Sequence, residues 1–254
     1  MKENLEFVYD GLSSRHMGIV QCHLNSGLFE ETFIPTRSIQ EEKIRGNDKP
    51  YFYGFTYEPL SFPISLYFDG ELDSKKLREI ANWFNVNYYK PLYFLKYPNR
   101  IFYCMPVDDS QHIHNGLKQG YLTLNMRCDS SYSYSPDYTT KIYTYQNNNG
   151  SILEFNNRGD VNCSPLLLLQ KIGDGDISIA NLSLNGREFK FTSLLDKEEL
   201  IIDNEKQTIE TNVPLTYRYD NFNFNYLVMA RGINRLLING DCKLQFKGRF
   251  KTLQ

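Results

Sequence analysis

Two imidazoles one residue apart can share a strand face and hold a transition metal, so His112-Ile113-His114 is the first stretch to weigh for chemistry. No carboxylate or thiolate stands at a spacing that supplies a third ligand, and QHIHNGLKQG reads as a loop ending in an Asn115-Gly116 turn. Both histidines are therefore expected in solvent, and no metal site is expected. Carboxylates gather at Asp108-Asp109, at Asp174-Gly175-Asp176 and over Asp196–Glu199. The DGD triplet has the opening of a calcium loop without its remaining oxygen ligands or terminal Glu, which makes it a polar turn. Ser13-Ser14 and Ser130-Ser131 lack the GxSxG elbow that exposes a nucleophile. No catalytic residue is expected, and no cofactor.

Aromatic rings offer another chemistry. Alternate Tyr and Phe in YSYSPDY and YRYDNFNFNY could stack on sugar rings, or could fill a sandwich core; the second reading is preferred. The first leaves a rival function, a carbohydrate-binding lectin-like β-sandwich protein that recognises cell-wall glycans. The five cysteines, Cys22, Cys104, Cys128, Cys163 and Cys242, are scattered and form no CxxC pair, so buried free thiols are expected.

The chain of 254 residues, 41% hydrophobic and 15% aromatic, can bury two modest cores. A net charge of −2 gives no global basic field for nucleic acid. No apolar run reaches the roughly 18–20 residues of a membrane helix, and the N-terminus lacks the apolar core of a signal peptide, so no membrane insertion is expected and assembly is placed in a cytosol.

One strongly helical stretch, residues 72–86, is set among strands. Leu77, Ile80, Ala81 and Phe84 fall on one face with Trp83 on its flank, Asp73 serves as N-cap, and Leu72 staples onto Leu77. Before it, residues 5–9 and 18–24 read as an opening hairpin about Asp10-Gly11, and residues 41–49 as an extended charged loop. LSFPISLYF reads as a strand that closes at Asp69-Gly70 and delivers the chain to the helix. After the helix come aromatic strands joined at Pro98-Asn99-Arg100, then YLTLNMRC with Leu122, Leu124 and Met126 on one face. Residues 129–150 hold almost no aliphatics and read as a junction. Short strands at regular spacing follow to the end, the pattern of a β-sandwich. The expected division is 1–135, a linker over 136–150, and 151–254.

The order of these elements resembles the distal tail protein (Dit) family of siphophage baseplates. The resemblance runs through FVYDGLSSRHMGI, IRGNDKPYFYGF, LSFPISLYF, LREIANWF, KPLYFLKYPNRIFYCMPV and RCDSSYSYSP. In the second half it runs through NRGDVNCSPLLLLQKIGDGDISIANLSLNGREFKF, EELIIDNEKQTIE and ARGINRLLINGDCKLQFKGRF, and so covers essentially the whole chain. It implies a mainly β fold: an N-terminal β-barrel-like or sandwich-like domain with one α-helix, then a C-terminal galectin-like β-sandwich. It also implies a structural virion protein at the phage tail tip, a homohexameric ring that carries DNA through its lumen. The implied partners are the major tail protein, the tail-associated hub protein, the tape measure protein and a receptor-binding protein. The mixed charges of 41–49 and the aromatic strands suit ring contacts through 1–135, whereas 151–254 is expected to fold as a monomer.

Overall fold

The computed structural model describes residues 6–22, 35–68, 74–114 and 120–253, with the backbone alone over 109–114. The expected staple Leu72, cap Asp73 and turns Asp69-Gly70 and Asn115-Gly116 lie outside the described residues. The chain divides into two units, 1–134 with 253–254, and 135–252.

The first unit opens with β1 (Phe7–Tyr9), whose three residues are all buried, and turns at Asp10-Gly11 into β2 (Leu12–Ser13). Positive φ at both turn residues, 47° and 78°, is the geometry that lets two residues reverse a strand. Next come β3 (Ile19–Cys22), β4 (Arg37–Glu42), β5 (Tyr51–Tyr57) and β6 (Ser61–Phe68). Helix α1 (Ser74–Phe84) follows, then β7 (Lys90–Phe94), β8 (Phe102–His114), β9 (Gly120–Cys128) and β10 (Ser133–Tyr134). Seven strands form one sheet in the order β2-β1-β7-β8-β9-β6-β3. The expected opening hairpin is thus corrected: β1 takes β2 and β7, while β3 pairs with β6 at the far edge, Ile19 opposite Phe68. The short β2 already occupies the side of β1 that residues 18–24 would have taken.

A second correction concerns 111–114, read as loop. Strand β8 continues to His114, with His112 opposite Leu122 and His114 opposite Gly120; the polar Asp108–Ser110 stretch is absorbed by a bulge with Asp108 at φ 62°. The helix packs with Ile80, Trp83 and Phe84 buried and Leu77 half-buried. Ala81, expected inside, is exposed, and Trp83, expected on the flank, is central. Its indole stacks on Phe7 (5.9 Å between centroids, 4° between planes), and its Nε1–H donates to the Tyr9 carbonyl at 3.0 Å. A large ring gains more from burial than a methyl group, so the helix turns to favour it.

In the second unit, residues 136–150 are not a bare linker: β11 (Tyr138–Thr139) and β12 (Tyr143–Tyr145) both pair with a later strand. After β13 (Ser151–Asn157), β14 (Leu166–Lys171), β15 (Gly175–Asn181) and β16 (Arg187–Leu194), the chain forms β17 (Glu199–Asp203) and β18 (Thr208–Thr211). It ends with β19 (Gly232–Asn239), β20 (Cys242–Gly248) and β21 (Lys251–Thr252). One sheet runs β11-β20-β14-β17-β18 with β12 also on β20, and the other runs β13-β19-β15-β16. Alternate residues point inward from each: Leu167, Leu169, Ile202 and Phe246 from the first, Ile179, Phe189, Phe191 and Ile238 from the second. This is a β-sandwich, as expected. The DGD stretch is a turn tied to the one at Asp196 by exchanged carboxylate bonds: the Gly173 N–H donates to Asp196 Oδ1 and the Asp196 N–H to Asp174 Oδ1, each at 2.7 Å.

Candidate functional site: exposed aromatic surfaces

Strands β4 and β5 pair only with each other among the described residues, forming a hairpin apart from the seven-stranded sheet. Glu41 and Glu42, expected in the loop, belong to β4, so the connection shrinks to 43–50, with Gly46 at φ 89°. The pairing of Arg37 with Tyr57 and of Ile39 with Phe55 puts these four side chains on one face; Ser38, Gln40, Gly54 and Thr56 line the other. The hairpin is therefore amphipathic, yet both faces are in solvent: Ile39 is 64% exposed, Phe52 62% and Tyr53 67%.

Local contacts stiffen it. The Arg37 guanidinium lies 5.3 Å from the Phe55 ring and 5.7 Å from that of Tyr57, and the Tyr53 hydroxyl donates to Glu42 at 3.1 Å. At the root, the Glu58 N–H bonds the Thr36 carbonyl and Tyr57 meets Tyr132 edge-on at 5.7 Å. Burial, with the Tyr57 hydrogen bond and charge added, pushes the Tyr132 phenol up to about 12. A two-stranded hairpin with no core beneath it is marginal on its own in water, and an aromatic face left open on one marks a contact surface.

The second unit displays another surface. Between β18 and β19 the chain runs twenty residues, 212–231, almost without strand or helix, and still it is pinned. Arg218 forms a two-pronged pair with buried Glu198, Nε to Oε1 at 2.7 Å and Nη2 to Oε2 at 2.6 Å. Asn204 accepts the Leu227 N–H, Asn223 accepts that of Lys190, and the Tyr226 hydroxyl donates to the Gln207 carbonyl. From this anchored strap Leu215 and Phe224, both at φ 56°, and Tyr217 point outward, with Leu215 fully exposed and Tyr217 82% exposed. The run YRYDNFNFNY thus splits: Phe222 and Tyr226 fill the core as expected, while Tyr217 and Phe224 do not. Side chains held in the left-handed region and open to water are costly, and they concentrate where a surface has work to do.

Among the described residues no group of three or more His, Cys, Asp or Glu is placed to hold a metal, and no helix is long and apolar enough to cross a membrane. The histidine side chains at 112 and 114 lie outside the described residues.

Residues 2–130 match a family model described as the phage tail protein N-terminal domain, and residues 132–248 match one described as the phage tail C-terminal domain. The chain belongs to this phage tail protein family. It is 34% identical to the SPbeta prophage-derived protein YomH of Bacillus subtilis (strain 168) over 253 residues, covering 100% of both chains. Its fold is that of the Dit protein of phage SPP1, with a TM-score of 0.72 at 13% identity over 97% of this chain and 99% of that one. The Dit resemblance read from the sequence agrees with the family match and with the full-length fold. The tail protein is mainly β, with one helix among the described residues of its N-terminal unit and a sandwich in its C-terminal unit. Its family places it in the virion.

Proposed function

We propose that this tail protein is a non-enzymatic hub of the tail tip, a ring of copies, six by the Dit resemblance. The ring joins the tail tube to the tail-associated hub protein and carries receptor-binding protein on its outer face, with assembly in the host cytoplasm before release in the virion. The observation that carries this reading is the β4–β5 hairpin, amphipathic and uncovered in a single copy. Head-to-tail packing of each hairpin on the next copy buries the Ile39, Phe55 and Tyr57 face and lets the mixed charges of 41–49 pair around a closed circle. Ring contacts then belong to residues 1–135. The sandwich stands as a folded monomer, and it needs residues 136–150 as well as 151–254, since β11 and β12 complete its sheet. Its strap, with Leu215, Tyr217 and Phe224 held out rigidly, is the natural seat for an attached tail protein. A lumen without excess positive charge lets DNA slide.

The test is light scattering with chromatography on the full chain across micromolar concentrations. Wild-type protein is expected to assemble, and Ile39→Ser with Phe55→Ser to lower the assembled mass by at least half at equal concentration, with an unchanged circular dichroism spectrum because both residues are exposed. A double variant that assembles like the wild type overturns the hairpin's role. For the strap, Leu215→Ser with Phe224→Ser is expected to leave assembly intact and to reduce tenfold or more the receptor-binding protein recovered with complemented particles. Unchanged recovery moves the attachment surface elsewhere. Binding to a glycan array by the isolated protein would favour the lectin reading instead.

A further inference from the structure

Cys104 on β8 and Cys128 on β9 stand directly opposite each other near the end of the two strands, and both are fully buried. The hydrogen bonds around them define which kind of pair they make. The Cys128 N–H turns away to the Leu60 carbonyl at 2.7 Å, while the next residue, Asp129, donates to Tyr103 at 2.9 Å. The cysteines therefore occupy a site between ladder bonds, where side chains of antiparallel strands come closest, with Cα atoms roughly 4.5 Å apart. That separation lies inside the range of about 4.4–6.8 Å a disulfide spans. The other cysteines differ: Cys22 faces Ser65, Cys242 faces Lys171 and Tyr145, and Cys163 bridges to Met229.

We propose that Cys104 and Cys128 are a cross-strand disulfide site, reduced when the protein folds and closed by peroxide after the virion has left a reducing cytosol. One thiolate attacks hydrogen peroxide, breaking the O–O bond to give a sulfenic acid and hydroxide, which leaves as water with the thiol's proton. The second thiol attacks the sulfenic sulfur, forms the S–S bond and expels another water. Two thiols lose two electrons and two protons, and one peroxide becomes two waters. A tail protein works outside a cell, where disulfides persist. The hydrogen bond with Cys128, and burial after it, hold the Cys104 thiol well above its usual range, so closure is slow and follows opening of the strand pair.

The experiment incubates the full-length protein with dilute hydrogen peroxide, folded and also through a cycle of unfolding and refolding. Free thiols are then alkylated and the unreduced digest is mapped by mass spectrometry. The expected result is one peptide pair joined through Cys104 and Cys128, with Cys163 and Cys242 alkylated. Closing a loop of about 25 residues is also expected to raise the melting temperature of the first unit by about 5–10 °C, reversed by dithiothreitol. Cys128→Ser abolishes both effects, and the wild-type map stands without it should that variant fail to fold. Full alkylation of Cys104 and Cys128 after both treatments overturns the proposal, as does their recovery only as sulfinic acids or in a bond to Cys22.

Discussion

Replacing Trp83 by alanine is expected to lower the stability of the first unit by about 3–5 kcal/mol, a large share of the roughly 5–15 kcal/mol an ordinary domain possesses. The indole lies between Phe7, Tyr9 and Phe84, with centroids at 5.9, 6.0 and 4.7 Å, so removing it opens a cavity bounded by three rings that cannot collapse together. The Nε1–H bond to the Tyr9 carbonyl goes with it. Trp83→Phe separates the two losses: it keeps most of the ring packing and drops the donor, and about 1–2 kcal/mol is expected. Trp83 is also the sole tryptophan of the chain, so its fluorescence in the wild type reports unfolding of this unit alone. Circular dichroism melts of wild type, Trp83→Phe and Trp83→Ala are expected to show only the first unit's transition moving, in that order. An unmoved transition in Trp83→Ala would mean that the helix does not fasten the sheet.

How the helix faces the sheet shows what the sequence can and cannot carry. The spacing in LREIANWF announces a helix with an apolar side, and the helix is there. Which of two overlapping arcs points inward depends on what it meets, and Phe7 and Tyr9 select the arc containing Trp83 over the one containing Ala81. Strand positions behave alike: Leu124 and Met126 alternate inward as their spacing requires, whereas the choice of β6 as partner of β3 is a tertiary matter with no local signal. The stretch 136–150 hid its strands because aliphatics are scarce there and tyrosines complete the core instead, Tyr138 stacking on Phe250 at 4.3 Å. In the hairpin the aromatics of Tyr51–Tyr57 stand in the sequence, but no pattern there says that the face they create stays open. The strap was the least legible part, because its anchor joins Glu198 to an arginine twenty residues on.

That anchor should be the most sensitive point of the second unit. Arg218→Ala leaves Glu198 buried with only Thr211 and the Leu195 N–H to satisfy it, and losing one member of a buried pair costs about 3–5 kcal/mol. The second unit's melting transition is expected to fall by 10 °C or more, and limited proteolysis to cut within 212–221, where Arg218 also holds Asn221 and the Tyr219 hydroxyl takes the Ile209 N–H. Acid should act on the same group. Burial works to raise the carboxyl of Glu198, but hydrogen bonds from Arg218, Thr211 and Leu195 outweigh it and hold the carboxyl below its usual value. A carboxylate depressed in the folded state stabilises the fold above its unfolded pKa, near 4.3, and that contribution drains away as pH falls through the folded value. Wild-type stability of this unit is thus expected to decline below about pH 4.5, and Glu198→Gln to be weaker at neutral pH with a shallower decline. The paired replacement Glu198→Leu with Arg218→Met removes both charges together and is expected to recover much of the Arg218→Ala loss. Its comparison with Arg218→Ala decides whether the cost comes from a stranded carboxylate. If the double variant is no more stable than Arg218→Ala, the strap is held by its packing and its asparagines, and the ion pair is incidental.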